Sequence, residues 1–187
     1  METLQLGKLK IKIQQDGLPL NPREEFENVG TIACWHRRYN LGDVQPVVSP
    51  DEYLLELMQQ REYSLHKKYV PDDIEPEHVK AYINKHYFIL PIYMYDHSGI
   101  SLKTTPFSCP WDSGQLGFIY ASRDCEGYTD MLAGLEAEVR IYNQYLNGEV
   151  YGFDIIDEIG EIVDSCFGFY GFEDCKTEAM HIAQAYV

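Results

Sequence analysis

The order of strand-like and helix-like segments constrains the fold of this 187-residue chain more than any other feature. These segments follow one another as ββ-αα-βββ-α-ββ-α, with strands in adjacent pairs. Parallel strands need a long crossover between them, whereas paired strands joined by short turns form hairpins. The sequence therefore predicts an α+β fold, with an antiparallel or mixed sheet packed against about four helices in a single domain spanning residues 1–187.

Strand signals are clearest at three places. Residues 9–14 alternate strictly between apolar and polar side chains, which indicates a strand with one face in solvent. Residues 87–95 form a long apolar run of β-forming residues, and Pro91 within it predicts an edge position or a bulge. Residues 150–156 and 162–169 flank five turn-forming residues and therefore predict a hairpin.

The first long helix has an unusually clear start. Ser49-Pro50-Asp51-Glu52 forms a capping box with proline at the first helical position. The spacing of apolar residues predicts a buried side that includes Leu57 and Leu65, and Pro71 is expected to end the helix. A shorter helix is predicted from Pro76 onward.

The strongest apolar stripe predicts a second long helix from about Tyr128 to Asn147. Thr129 or Asp130 is the expected N-cap, and Gly148 follows the last turn. The predicted stripe comprises Met131, Leu132, Leu135, Val139, Tyr142 and Leu146. These residues are expected to face a sheet.

Acidity is the outlying feature of the composition. The formal net charge is −15, and residues 121–187 alone hold three basic and fourteen acidic side chains. Such a field repels nucleic acid and membrane surfaces and attracts basic partners. The few basic clusters are too small to offset this background, so direct nucleic-acid binding and membrane binding are not expected. The alternative is that acidity only maintains solubility.

The cysteines and the N-terminal residues indicate the cellular compartment of the protein. The five cysteines are odd in number and irregular in spacing, which is typical of reduced thiols. The N-terminal residues lack a basic region followed by an apolar core, and no apolar stretch approaches the length of a membrane span. We therefore expect a cytoplasmic protein.

Five carboxylates within eleven residues are the candidate partner-binding site. They surround the predicted C-terminal hairpin and are Asp154, Asp157, Glu158, Glu161 and Asp164. A row of carboxylates on a rigid scaffold can imitate the phosphates of DNA and occupy a basic groove. The alternative is an ordinary solvated face. The oligomeric state is left open.

A second candidate site is catalytic. Cys109 is a possible nucleophile, His97 a possible base, and Asp112 or Asp96 could orient the imidazole. Ser113 offers a rival nucleophile. The alternative is that these residues only build turns, where Asp, Ser, Gly and Pro are enriched for backbone reasons. No phosphate-binding loop and no paired metal-ligand spacing occurs, so the sequence predicts neither a cofactor nor a metal site.

The run LPIYMYDHSGISLKTTPFSCPWDSGQLGFIYASRD, with GEVYGFDI and SCFGFYG further along, resembles a family of small proteins carried by bacteriophages and other mobile elements. The resemblance covers roughly residues 85–175, and its most specific motif spans residues 107–117. It carries over no catalytic residues. It implies a phage accessory role, and in size and charge the chain is similar to anti-restriction and anti-CRISPR inhibitors.

Together, these observations lead to three hypotheses. The first is a non-enzymatic anti-defence protein that binds a basic host nucleic-acid enzyme by occupancy, specifically an RNA-guided nuclease such as Cas9. The second is a cysteine-dependent hydrolase or modifying enzyme that uses Cys109 and His97. The third is a non-enzymatic phage scaffold or interaction module.

Overall fold

A computed structural model describes residues 1–124 and 129–187. Its elements are β1 (Glu2–Leu6), β2 (Leu9–Gln15), α1 (Pro22–Glu25), β3 (Thr31–Cys34), α2 (Pro50–His66), α3 (Pro76–His86), β4 (Tyr87–Asp96), β5 (Ile100–Lys103), β6 (Ser113–Ser122), α4 (Met131–Leu146), β7 (Val150–Ile156), β8 (Ile162–Tyr170), α5 (Phe172–Ala183) and a 3-10 turn (Gln184–Tyr186). The predicted α+β class is confirmed. Within the described residues, the strands form two four-stranded antiparallel sheets, ordered β1-β2-β7-β8 and β3-β6-β4-β5.

The described residues group into two compact units. The first comprises residues 1–26, 98–101 and 140–187, and the second lies within residues 27–97 and 102–139. In the part of the chain that the structure describes, no helix combines the length and apolar character that a membrane crossing requires.

The core of the first unit lies between α5 and one face of the β1-β2-β7-β8 sheet. It consists of Leu9, Ile11, Ile13, Phe153, Ile155, Cys175, Ala179 and Ala183. The predicted alternation of residues 9–14 is confirmed, because Ile11 and Ile13 are fully buried while Lys10 is exposed. The small side chains of α5 recur every four residues, so the helix can lie close to the sheet.

The predicted C-terminal hairpin is confirmed as β7 and β8. Asp154 lies opposite Ser165, and Phe153 lies opposite Cys166. The register is irregular between Tyr151 and Gly152 and again between Ile155 and Ile156. These irregularities leave a short regular ladder in the middle of the hairpin.

In the second unit, the capping box of α2 is confirmed. The Ser49 N–H donates to Glu52 Oε2 at 2.8 Å, and the Glu52 N–H donates to Ser49 Oγ at 3.3 Å. The helix ends at His66, before Pro71, because Lys67 adopts a left-handed conformation with φ of 51°. Leu57 is buried as predicted, but the prediction for Leu65 is wrong, since it is 55% exposed. The core cluster formed with α3 does not include this last turn of α2.

Pro91 shows how local chemistry and sheet position combine in β4. This strand lies between β6 and β5, and Pro91 itself lies opposite Phe118 of β6. The bulge is confirmed one residue along, where the register with β6 shifts between Ile92 and Tyr93. Proline has no N–H to donate to a neighbouring strand. A bulge beside proline therefore breaks fewer backbone hydrogen bonds than a bulge beside another residue would.

Helix α4 has the predicted N-cap. The Ala133 N–H donates to Asp130 Oδ1 at 3.1 Å, while the predicted start at Tyr128 lies outside the described residues. Leu135 is fully buried, and Met131, Val139 and Tyr142 are buried with it. The prediction that Leu132 belongs to the buried stripe is wrong, because it is 42% exposed. Gly148, with φ of 67°, ends the helix as expected.

Candidate partner-binding site

Asp154 lies on the face of its sheet that points away from α5. Its carboxylate accepts a hydrogen bond from Ser165 Oγ at 2.8 Å and another from Gln14 Nε2 at 3.1 Å. The side chains therefore connect β2, β7 and β8 across the sheet. Asp154 is half-buried and held in one place, so its charge belongs to a rigid surface.

Asp157 builds the turn that joins β7 to β8. Its Oδ1 accepts the backbone N–H of Ile159 at 3.0 Å and that of Glu161 at 2.8 Å. The Asp157 N–H in turn donates to the Glu161 carbonyl at 2.9 Å, and Gly160 supplies the required positive φ of 93°. This aspartate therefore has a structural role in addition to its charge.

Glu158 and Glu161 point into solvent at the tip of the hairpin. The Glu158 carboxylate lies 3.0 Å from Lys8 Nζ, with both side chains more than half exposed. Such surface ion pairs contribute little to stability. Both glutamates are exposed, so a partner that approaches the tip would meet their charges first.

Asp164 lies on the opposite side of the sheet from Asp154. Its Oδ2 accepts a hydrogen bond from the Tyr186 hydroxyl at 3.0 Å, and this carboxylate raises the pKa of Tyr186. The Ser165 N–H donates to Asp164 Oδ1 at 2.7 Å. The hairpin thus presents Asp154 on one face, Asp164 on the other and three carboxylates at its turn, rather than one straight row.

A groove between β8 and α5 adds two carboxylates that were not among the predicted site residues. It has a volume of about 480 Å³ and is lined by Cys166, Phe169, Asp174, Thr177, Glu178 and Ile182. Asp174 and Glu178 stand four residues apart on α5, a spacing that places them on one helical face. That spacing is visible in the sequence, but their position beside β8 depends on the tertiary fold.

The cysteines of β8 and α5 differ in exposure. Cys166 is exposed on β8, whereas Cys175 of α5 is fully buried. Burial raises the pKa of Cys175 to about 11. Cys175 is therefore a packed thiol in the protein core, since the thiolate form is the reactive one.

The candidate catalytic residues meet at Asp112. Its Oδ2 lies 3.3 Å from His97 Nδ1 and 4.0 Å from Cys109 Sγ, which donates to it. A thiol nucleophile needs an imidazole beside it to accept its proton. Here the Asp112 carboxylate is the neighbour of both the thiol and the imidazole. In a cysteine hydrolase, the imidazole would lie between the thiol and the group that orients the ring.

The remaining residues of this candidate site have structural partners. The Asp96 carboxylate pairs with Arg38, and the Asp96 N–H donates to the Asp112 carbonyl at 2.9 Å. The Ser113 hydroxyl donates to the Cys109 carbonyl. Ser113 is also the first residue of β6, so it lies in a strand rather than in a turn. Trp111 at the loop tip is 91% exposed.

No protein-family model, curated protein or solved structure matches this chain. Within residues 1–124 and 129–187, no three His, Cys, Asp or Glu side chains converge to hold a metal ion.

Proposed function

We propose that this protein is a phage-type anti-defence protein that inhibits a basic nucleic-acid-handling enzyme by occupying its nucleic-acid-binding surface. The observation that carries the proposal is the concentration of carboxylates on β7, β8 and α5. These elements lie within residues 121–187, which hold fourteen acidic and three basic side chains. Nucleic-acid enzymes bind phosphates with Lys and Arg, so a rigid acidic surface is complementary to them.

Rigidity supports inhibition by occupancy. Asp154 is held by Ser165 and Gln14, and Asp157 is held by the backbone of its own turn. Carboxylates that are already fixed lose little side-chain entropy when they meet a partner. Glu158 and Glu161 at the tip then supply exposed charge that steers the encounter.

Among such enzymes, an RNA-guided nuclease such as Cas9 is the specific candidate, because it holds its heteroduplex in a positively charged channel. The resemblance to proteins of phages and mobile elements supports an anti-defence setting. A protein that acts by occupancy needs no nucleophile, so the Cys109, His97 and Asp112 group has no catalytic role in this proposal.

The test is capture from host lysate with the immobilised protein, followed by identification of the captured enzyme and an inhibition assay with purified components. We expect a basic nucleic-acid enzyme whose substrate binding falls as the protein is added in stoichiometric amounts. Excess substrate should relieve the inhibition, because both compete for one surface. Capture of an enzyme whose activity is unaffected, or inhibition that excess substrate does not relieve, would overturn the proposal.

A further inference from the structure

Strand β8 forms an open edge of its sheet. It is the last strand in the order β1-β2-β7-β8, and among the described residues it pairs with β7 alone. Ile162, Val163 and Phe167 on this strand are 60%, 37% and 43% exposed. A strand edge presents backbone N–H and C=O groups that another extended chain can pair with.

The usable part of this edge is short and well defined. At one end, the Tyr170 hydroxyl donates to the Leu20 carbonyl at 2.7 Å, and the Tyr170 ring packs edge-to-face on Phe26. The two register irregularities bracket the middle of the strand. Gly168, with a positive φ of 92°, lies at the irregularity opposite Tyr151 and Gly152. Residues 164–167 remain as a regular run, since bulges interrupt pairing on either side.

Side chains along this run alternate between two environments. Cys166 points toward the α5 side and lines the groove. Asp164, two residues before it, is on the same side of the strand and accepts a hydrogen bond from the Tyr186 hydroxyl. Phe167 points to the other face, where its ring lies against Gly152 so closely that any side chain there would collide with it. A strand added beside β8 would place alternate side chains in the groove and next to the Phe167 ring.

The groove suits a long cationic side chain. Phe169 and Ile182 offer apolar contact for a methylene stem, and the carboxylates of Asp174 and Glu178 can receive the charged head. None of the described residues that line the groove is basic. Its chemistry therefore matches lysine or arginine better than any acidic or purely apolar side chain.

We propose that the β8 edge binds an extended, lysine- or arginine-bearing segment of a protein partner by strand addition, with one basic side chain in the groove between β8 and α5. The inference rests on the proposed function in that a basic enzyme supplies the segment. A second copy of this chain is a poorer occupant, because antiparallel pairing of two β8 edges would bring their groove carboxylates together.

The probe is a fluorescein-labelled octapeptide of alternating lysine and valine. One comparison peptide carries glutamate in place of lysine, and another carries the lysine–valine sequence with alternate backbone nitrogens methylated. Methylation keeps the charge and removes strand hydrogen bonds. We expect binding of the lysine peptide, about tenfold weaker binding of the methylated peptide and none of the glutamate peptide. Amide hydrogen exchange should slow at residues 164–167 in the complex.

Two single substitutions locate the site on the protein. Cys166→Arg puts a competing cation in the groove and should weaken the lysine peptide by about tenfold. Thr3→Arg is the matched control, because it adds the same charge at an exposed position on β1, the opposite edge strand of the same sheet. It should change the affinity by less than about twofold. Thermal unfolding checks that both variants are folded.

Three results would overturn the inference: equal affinity for the methylated peptide, equal effects of the two arginine variants, or dimerisation of the protein through β8. Repeating the enzyme inhibition assay with Cys166→Arg separates this inference from the proposed function. Full inhibition by Cys166→Arg leaves the proposed function standing and removes the β8 edge. Peptide binding at β8 without capture of any nucleic-acid enzyme keeps the β8 edge as a binding site and removes the proposed function.

Discussion

The carboxylate of Asp157 accepts the backbone N–H of Glu161 at 2.8 Å and so closes the turn between β7 and β8. The same carboxylate also accepts the Ile159 N–H. The hairpin that carries the acidic cluster is thus shaped by one of its own acidic residues. Charge and structure can be separated experimentally, because an asparagine side chain retains the accepting oxygen and loses the charge.

Asp157→Ala should lower the free energy of unfolding by about 1–2 kcal/mol, because two backbone N–H groups lose their acceptor. Asp157→Asn should change it by less than about 0.5 kcal/mol, since the oxygen remains. Urea titration at pH 7 measures both variants. Glu158→Ala is the control for charge alone, because its exposed pair with Lys8 adds little. Equal destabilisation by Asp157→Ala and Asp157→Asn would show that the charge, not the hydrogen bond, stabilises the turn.

Two neighbouring leucines of α4 test the packing of this helix. Leu135 is fully buried, so Leu135→Ala should cost about 2–5 kcal/mol of stability. Leu132 is 42% exposed, and Leu132→Ala should cost less than about 1 kcal/mol. Chemical denaturation with circular dichroism compares the two variants, which remove the same atoms from one helix. Similar losses in both would contradict the orientation of α4.

Glu62 gives the protein a predictable response to acid. The Tyr82 hydroxyl donates to Glu62 Oε1 at 2.6 Å, and this hydrogen bond holds the pKa of Glu62 below its ordinary value of 4.5. A lowered pKa in the folded state stabilises the protein above the ordinary value, and the contribution is lost as the pH falls through the folded pKa. Tyr82→Phe should therefore destabilise the protein more at pH 7 than at pH 3.

Urea titrations of wild type and Tyr82→Phe at the two pH values measure this difference. The Tyr82 hydroxyl also lies 3.2 Å from Arg61, but the guanidinium stays charged at both pH values, so the loss of that contact does not depend on pH. A Tyr82→Phe effect of equal size at pH 7 and pH 3 would mean that the Glu62 hydrogen bond does not favour the carboxylate.

Cys109 tests the rival catalytic hypothesis. If the protein acts by occupancy, Cys109→Ala should fold normally and inhibit its target as well as wild type, because the hydrogen bond of the thiol to Asp112 is weak at 4.0 Å. Inhibition titrations and site-resolved alkylation measured by mass spectrometry make the comparison. A large loss of activity in folded Cys109→Ala, with fast alkylation of Cys109 at neutral pH, would indicate a nucleophile instead.

Elements with signals between near neighbours in the chain could be predicted from the sequence. The capping box of α2 and the alternation of β2 depend on residues within a few positions of each other. The division into two sheets could not be predicted, because β2 pairs with β7 across about 140 residues of chain. Strand β1 is not among the predicted elements, although its hairpin with β2 is local, with Leu6 opposite Leu9.

Part of the candidate site could likewise be predicted from the sequence, and part could not. The five hairpin carboxylates stand out in the sequence because they are close together in the chain. Their separation onto two faces follows from the register of β7 and β8, which places Asp154 opposite Ser165 and Ile155 opposite Asp164. The groove needs α5 to lie against β8, and that packing depends on the buried small residues of the helix. Local sequence patterns do not predict this packing of α5 against β8.

Two variants that remove the same number of charges test most directly whether the acidic hairpin is the binding surface. The hairpin variant carries Asp154→Asn, Asp157→Asn, Glu158→Gln, Glu161→Gln and Asp164→Asn. The control variant carries Glu25→Gln, Glu27→Gln, Asp73→Asn, Glu75→Gln and Glu77→Gln at exposed positions elsewhere. Both change the net charge from −15 to −10, since each loses five carboxylates.

Binding of the purified target enzyme to wild type and both variants is measured by titration at about 0.05 M and 0.2 M salt, where screening of exposed charges differs. We expect the hairpin variant to bind at least about tenfold more weakly than the control variant at low salt. We also expect wild-type affinity to fall steeply as salt rises and the hairpin variant to lose most of this dependence. Equal affinities of the two variants, or wild-type binding that does not respond to salt, would contradict the claim that the acidic hairpin is the binding surface.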